Sequence, residues 1–357
     1  MREIEANAPK IADREEESVH VIIPAAGFGT RLRPHTWSKP KPLVSVAGKP
    51  ILGHVLDSIA PLNPERVVFV TGYLGDQIRE YVEHQYHFSS SFVHQAEMKG
   101  QAHAIHLAAD HVHGPVLIAF ADTIFATDLT VLAETDADGV IFVKEVDKPQ
   151  AFGIVQLDGN RIMRIIEKPS HPPTNLAVTG IYYFRESARL LAAIDAIMAA
   201  DTQTKGEFYL TDAIQLMIDD GARIEAAMMD LWLDCGRPET LLETNRILLS
   251  RMDDDETAPM YTGSVIIPPV VIAPSARIER AVVGPFASVG ENVVITDAIV
   301  RDVILNHDSE IANVMLMNSI VGEGAAVHGD FHSVNVGDSS EVNLGGASSD
   351  SAPTGAK

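Results

Sequence analysis

The sequence is short of several things, and each shortage excludes a class of protein. Among 357 residues there is one cysteine, Cys235, so no internal disulfide can form and nothing marks an oxidising compartment. Basic residues number 27 against 49 acidic ones, a formal net charge of −22. A surface with that balance repels the phosphates of DNA and RNA, which excludes a dedicated nucleic-acid binder. Long hydrophobic runs are missing as well: Val116 to Phe120 (VLIAF) is strand-sized and far short of a membrane span. The first eighteen residues are polar and charged, without the apolar centre of a signal peptide. A soluble cytoplasmic protein with no nucleic-acid and no membrane partner is the expectation. The length exceeds one ordinary core, so two domains, or one large domain with an appendage, are expected.

A local shortage is more informative than the global one. From Ser18 through Leu56 there is no Asp or Glu, where an even distribution would place about five. The same stretch carries Arg31, Arg33, Lys39, Lys41 and Lys49. Acid is concentrated in residues 1–18 and in the run RMDDDET beginning at Arg251. An acid-free basic segment in an acidic chain points to a site for a polyanion.

Apolar runs alternate with amphipathic stretches through the first 120 residues. His20 to Pro24 (HVIIP) precedes a glycine turn and reads as a buried parallel strand; Val67 to Thr71, Phe92 to Gln95 and Val116 to Phe120 read likewise. Ile51, Leu52, Val55, Leu56 and Ile59 share a helical face after Pro50, Ile78, Tyr81, Val82 and Tyr86 share another, and a third helix is predicted over 101–112. This alternation implies a mostly parallel sheet with helices on both faces, and ligands on such sheets bind beyond the carboxyl ends of the strands. Past residue 139 the strands lengthen. Asp158-Gly159-Asn160 predicts a hairpin, 186–200 a helix, Thr211 a cap for a helix ending before Gly221, and 238–250 a closing helix. From Ser264 the aliphatics Ile272, Ile278, Val283, Val289, Ile295 and Val300 recur five or six residues apart, the signature of a parallel β-helix.

The glycine turn is neither a P-loop nor a dinucleotide fingerprint, because Leu32 stands where the latter needs its third glycine. Gly27-Phe28-Gly29-Thr30-Arg31 nevertheless offers open backbone N–H groups, a hydroxyl and a guanidinium suited to phosphate. Lys39-Pro40-Lys41-Pro42-Leu43 adds two lysines on a stiff segment. Polyphosphate chemistry normally requires Mg2+, held by one or two carboxylates; Asp122 and Asp234, each after a strand-like run, are the candidates.

Together, IIPAAGFGTRLRPHTWSKPKPL from Ile22 to Leu43, with Ala121-Asp122, Phe152-Gly153, Glu167-Lys168-Pro169, NLAVTG from Asn175 and Trp232 to Gly236, resembles the sugar-1-phosphate nucleotidylyltransferases. The resemblance runs from residue 19 to about 345. It is nearest to the branch of glucose-1-phosphate thymidylyltransferases that carries a β-helix, and Asn335-Val336-Gly337-Asp338 contributes to it. It implies an α/β, Rossmann-like, mixed but mostly parallel sheet followed by a left-handed parallel β-helix. The implied division is an acidic, disordered 1–18, a catalytic domain 19–250, an acidic linker 251–263, the repeat 264–345 and a disordered tail 346–357.

The resemblance also implies a reaction in which a nucleoside triphosphate, dTTP first, and a hexose 1-phosphate, glucose 1-phosphate first, give a nucleotide-sugar and pyrophosphate. A UTP-dependent enzyme and a non-catalytic sensor subunit of the same fold are the alternatives. By that resemblance Arg31 and Lys41 are catalytic, Ala26, Gly27, Gly29, Thr30, Gln95 and Gly100 bind nucleotide, and Asp122 and Asp234 hold Mg2+. Gly153, Glu167, Lys168, Val178 and Lys205 would bind the sugar phosphate. A homo-oligomer is expected. Two histidine pairs, His103-x-x-His106 and His111-x-His113, form no closed metal set in sequence, and Cys235 is expected to be a buried strand-end residue, not a reactive thiol.

Overall fold

A computed structural model describes residues 18–252, 261, 263–330 and 336. The acidic segment 1–17, the centre of the acidic linker, most of the 335–338 element and the tail 346–357 lie outside the described residues, and with them the expectations of disorder. Nine strands form one mixed sheet, in the order Ser90–His94, Arg66–Thr71, His20–Ala25, Val116–Ala119, Leu176–Phe184, Gly139–Glu145, Ile224–Met228, Arg161–Glu167, Gly153–Asp158. The first four are parallel. Leu176–Phe184 is antiparallel to both its neighbours, and beyond it only Ile224–Met228 and Gly139–Glu145 pair parallel. The expectation of a mostly parallel sheet therefore holds only for the first half. The reason is local: the turn between Asp158 and Arg161 is too short for a parallel crossover and closes a hairpin.

Alternation along the central strand feeds two cores. Val21 and Ile23 pack with Leu52, Val55, Leu56 and Ile59 of the helix Ile51–Ile59, while Ile22 faces Ala102, Ile105 and Tyr182 on the other side. Two local expectations change. The helix predicted over 101–112 ends at His106, after which Ala108 and His111 bond three residues back and the chain tightens toward Gly114 and the next strand. Thr211 is not a cap. It lies inside the helix Leu210–Asp219, and its hydroxyl donates to Glu167 Oε2 at 3.2 Å.

From Val265 onward short strands stack in parallel on strands one coil later. Val265 pairs with Val282 and Ile278 with Ile295, seventeen residues on; Ala287 pairs with Val303 and Ile311 with Val327, sixteen on. Ile278, Val283, Val289, Ile295 and Val300 are all buried in one core, which is what the aliphatic period required. Asn292, Asp297, Asp308 and Asn313 between strands, and Asp302 and Asn318 within the two seven-residue strands Ile299–Leu305 and Met315–Val321, take positive φ, a conformation that Asp and Asn tolerate better than other side-chain residues. The arrangement is compatible with a parallel β-helix.

This repeat leans on the first domain through a shared core and a buried amide. Leu32, Val44, Val46, Ile51, Ile124, Leu233, Cys235 and Leu241 cluster with Ile304 of the repeat, and Ile320 packs against them. Asn245, on the helix Pro238–Leu249 and only 1% exposed, accepts from Ala47 N (2.9 Å) and Ser288 Oγ (2.6 Å). Its amide nitrogen donates to Phe286 O at 3.2 Å. Arg246 pairs with Asp302, and Lys39 with Glu323 at 2.6 Å.

Candidate active site

The acid-free segment leaves the strand His20–Ala25 and folds back over its carboxyl end. Gly29 sits at φ +61, and a Cβ there would lie 2.9 Å from Lys41 Cβ and 3.1 Å from Thr36 Cγ2. Only glycine lets the turn approach the Lys41 and Thr36 side chains so closely in that conformation. Thr36 Oγ1 fastens the turn by donating to Gly29 O at 2.9 Å. Thr30 and Arg31 form a short 3-10 turn on the surface, while Lys41 starts another and is buried. The two lysines of KPKPL thus diverge: Lys39 reaches the repeat and Lys41 the site.

Lys41 Nζ donates to Asp122 Oδ2 at 2.6 Å. Burial opposes ionisation of Asp122, but Lys41, the Thr123 hydroxyl and Arg31 outweigh it and hold the carboxyl below its usual range. Spacing alone could not show that Asp122 and Asp234 meet. They do so because Leu231–Asp234 pairs antiparallel with Thr123–Ala126, a ribbon that sets Asp234 opposite Thr123 and lets Cys235 N donate to Asp122 O at 3.3 Å. The Asp234 carboxylate accepts from Gly236 N (3.0 Å) and Thr240 Oγ1 (3.4 Å). Arg31 joins this group, with Nη2 3.3 Å from where a Cβ on Gly236 would stand. Cys235 points away into the core, and burial pushes its thiol up to about 12. Two carboxylates, with no thiolate or imidazole from the ribbon beside them, are a donor set that fits a hard cation such as Mg2+.

A cavity of about 350 Å³ opens beside this group. Ala26, Gly27, Lys41, Gln95, Gly100, Phe120, Asp122 and Glu207 contribute to its wall. Around a Cβ built on Gly27 there is open space, so its backbone is free to be approached. Gln95 is buried, and its amide nitrogen lies 3.3 Å from Gly100 O and 3.0 Å from His103 Nδ1. Gly100 is forced by its neighbour: at φ +107, a Cβ would sit 2.5 Å from Phe208 O. Gly100→Ala is therefore expected to cost about 1–3 kcal/mol of stability, read as a lowered melting temperature. An unchanged melting temperature would show that the Phe208 segment yields freely.

A second cluster forms on the strands beyond. Gly153 pairs with Glu167 across the hairpin, and a Cβ on Gly153 would touch Val178 Cγ2 (3.0 Å), Glu167 Oε2 (3.1 Å) and Thr211 Cγ2 (3.1 Å). Lys168 lies 3.0 Å from the Glu167 carboxylate and 4.8 Å above the Tyr209 ring. Burial opposes its charge, but Glu167 and Tyr209 outweigh burial and raise the ammonium's pKa. Lys205 is not brought in: it is exposed in the turn between Thr204 and Glu207, and among the described residues no hydrogen bond or ion pair ties it to Glu167 or Lys168. Tyr209, Thr211 and Glu207 are the residues that sequence reading did not assign. Tyr209 left no signal, since a single tyrosine before a helix is unremarkable in sequence.

Residues 20–251 match the family described as nucleotidyl transferase. The UTP–glucose-1-phosphate uridylyltransferase AglF of Haloferax volcanii is 37% identical over 62% of this chain and 93% of its own length. A glucose-1-phosphate thymidylyltransferase of Streptomyces antibioticus is 29% identical over 90% of this chain and 99% of its own. The solved structure of a UDP-glucose pyrophosphorylase complexed with UDP-glucose superposes with a TM-score of 0.59, covering 66% of this chain and 100% of that one at 23% identity, a likeness of fold. No described helix is long and apolar enough to cross a membrane.

Proposed function

The chain belongs to the nucleotidyl transferase family and is a nucleotidyltransferase, and we propose that it joins a pyrimidine nucleoside triphosphate, dTTP or UTP, to glucose 1-phosphate with release of pyrophosphate. The observation that carries this reading is the Lys41–Asp122 pair in the wall of a cavity also lined by Gly27, with Asp234 joined to it through the ribbon opposite Thr123 and Arg31 beside Asp122. A set that neutralises so much phosphate charge is what transfer needs, and a binding-only sensor does not require all of it.

In this proposal the sugar-phosphate oxygen attacks the α-phosphorus in line, so no protein nucleophile takes part and catalysis is positioning plus neutralisation. Ala26, Gly27, Gly29 and Thr30 cradle the triphosphate. Arg31 steadies the departing pyrophosphate, and Lys41 turns from Asp122 toward the phosphates of both substrates. Mg2+, when bound, would be held by Asp122 and Asp234 and would offset charge on the α-phosphate and the leaving group. Glu167 accepts sugar hydroxyls while Lys168 meets the sugar phosphate. Lys205 could join only by movement of its turn.

Gln95 supports a pyrimidine. With its amide nitrogen turned to Gly100 O and His103, its carbonyl is left to accept from the N3–H that thymine and uracil share. The two bases differ by one methyl group, which a pocket distinguishes by about 1–3 kcal/mol, or roughly 10- to 200-fold. The two relatives named above differ in the same way, one a uridylyl- and the other a thymidylyltransferase. Initial rates for dTTP, UTP, CTP, ATP and GTP against glucose, galactose and N-acetylglucosamine 1-phosphates test the reading. It predicts dTTP or UTP with glucose 1-phosphate as the fastest pair; a purine triphosphate in first place would overturn the assignment of Gln95.

A further inference from the structure

The amino ends of the parallel strands carry a second cluster, unconnected with the phosphate chemistry. His20 opens the strand His20–Ala25, Glu65 directly precedes the strand beginning at Arg66, and His113 lies just before the strand Val116–Ala119. His20 stands opposite Arg66 on one side and Val116 on the other. One ligand atom from each of His20, Glu65 and His113 lies within 4.8 Å of the others. The two imidazoles are 4.3 Å apart between ring centres, and His20 Nε2 is 4.0 Å from Glu65 Oε2.

His20 is only 2% exposed, yet its Nδ1 has no hydrogen-bond partner. An unsatisfied buried imidazole nitrogen is uncommon, and the ring's other nitrogen, Nε2, is the one that faces Glu65.

We propose that His20, Glu65 and His113 bind a divalent transition-metal ion of zinc's class. Two imidazoles and one carboxylate are a borderline-soft set that favours Zn2+ over Mg2+, with a fourth position left to water. Bonds of about 2 Å require the side chains to close by on the order of 1 Å, and Glu65 and His113 are exposed and free to do so. The histidine pairs visible in sequence contribute just one of these ligands. His103 Nδ1 lies 3.0 Å from the Gln95 amide nitrogen and His106 Nδ1 2.8 Å from Asp195 Oδ1, while His113 finds its neighbours at the amino ends of two other strands. The site is separated from Gly27 by the six-residue strand His20–Ala25, about 20 Å. Its ion would brace three adjacent strand ends and take no part in transfer.

The test is zinc titration of the full chain by calorimetry, in excess Mg2+ to occupy hard-oxygen sites, beside the exposed-residue variants His113→Ala and Glu65→Gln. The expected result is one Zn2+ per chain whose affinity falls at least about tenfold in either variant, with Zn2+ raising the melting temperature of the parent chain and not of His113→Ala. Equal affinity and equal thermal shift in parent and variants, or no binding by the parent, would overturn the proposal. Substituting Co2+ provides a second readout, since its visible spectrum reports nitrogen ligation that should vanish in His113→Ala.

Discussion

Asp122→Asn is expected to lower pyrophosphate release by about 10²- to 10³-fold while leaving the chain folded. The substitution keeps the size of the side chain and one oxygen for Lys41 Nζ, now 2.6 Å away, while its amide nitrogen comes to face the Thr123 hydroxyl. What it removes is the charge that Lys41 and Arg31 hold ionised and that a hard cation would need. Lys41, 8% exposed, is then left against a neutral partner in a site built for phosphate. Asp234→Asn should follow the same course: its one remaining oxygen can still accept from Gly236 N, its amide nitrogen comes to face the Thr240 hydroxyl, and its charge is gone. Rates measured beside circular dichroism separate lost chemistry from lost fold. Undiminished turnover in either variant would remove that residue from the reaction.

Removing everything after Arg251 is expected to destabilise the catalytic domain by on the order of 5 kcal/mol and to disable it. The sequence invites the opposite view, that the repeat is an appendage whose loss leaves the chemistry intact. Packing decides otherwise. Ile304 is 1% exposed and fills a cluster containing Leu32, Val44 and Val46, residues of the segment that carries Arg31 and Lys41. Uncovering two or three such side chains costs about 1.5–3 kcal/mol each. Asn245 would lose Ser288 and Phe286, and Lys39 would lose Glu323. Asn245→Ala in the full chain should reproduce part of the loss, since it leaves the Ala47 N–H and the Ser288 hydroxyl without their shared acceptor, about 1–3 kcal/mol apiece. A truncated chain that melts and turns over like the whole would show that the shared core is dispensable.

Legibility followed sequence separation. Gly27, Gly29, Arg31 and Lys41 lie within fifteen residues and were visible as an acid-free basic run before any fold was known. The parallel first half of the sheet and the short C-terminal strands with their buried aliphatics were readable because each rests on a short-range period. The convergence of Asp122 with Asp234 was not, because it depends on a four-residue ribbon joining strands over a hundred residues apart. Thr211 looked like a cap since threonine often is one; a tertiary partner, Glu167, claimed its hydroxyl instead. The Asn245 amide and the His20, Glu65 and His113 cluster were invisible for the same reason. Each gathers from three segments groups that are individually ordinary.

The most direct measurement is the fate of label from α-labelled dTTP or UTP incubated with the purified full chain, Mg2+ and glucose 1-phosphate. The account predicts that label appears in nucleotide-sugar in step with one pyrophosphate released per product, and that neither forms without the sugar phosphate. Pyrophosphate with no labelled nucleotide-sugar, or no turnover of either triphosphate by protein that is folded, would contradict it.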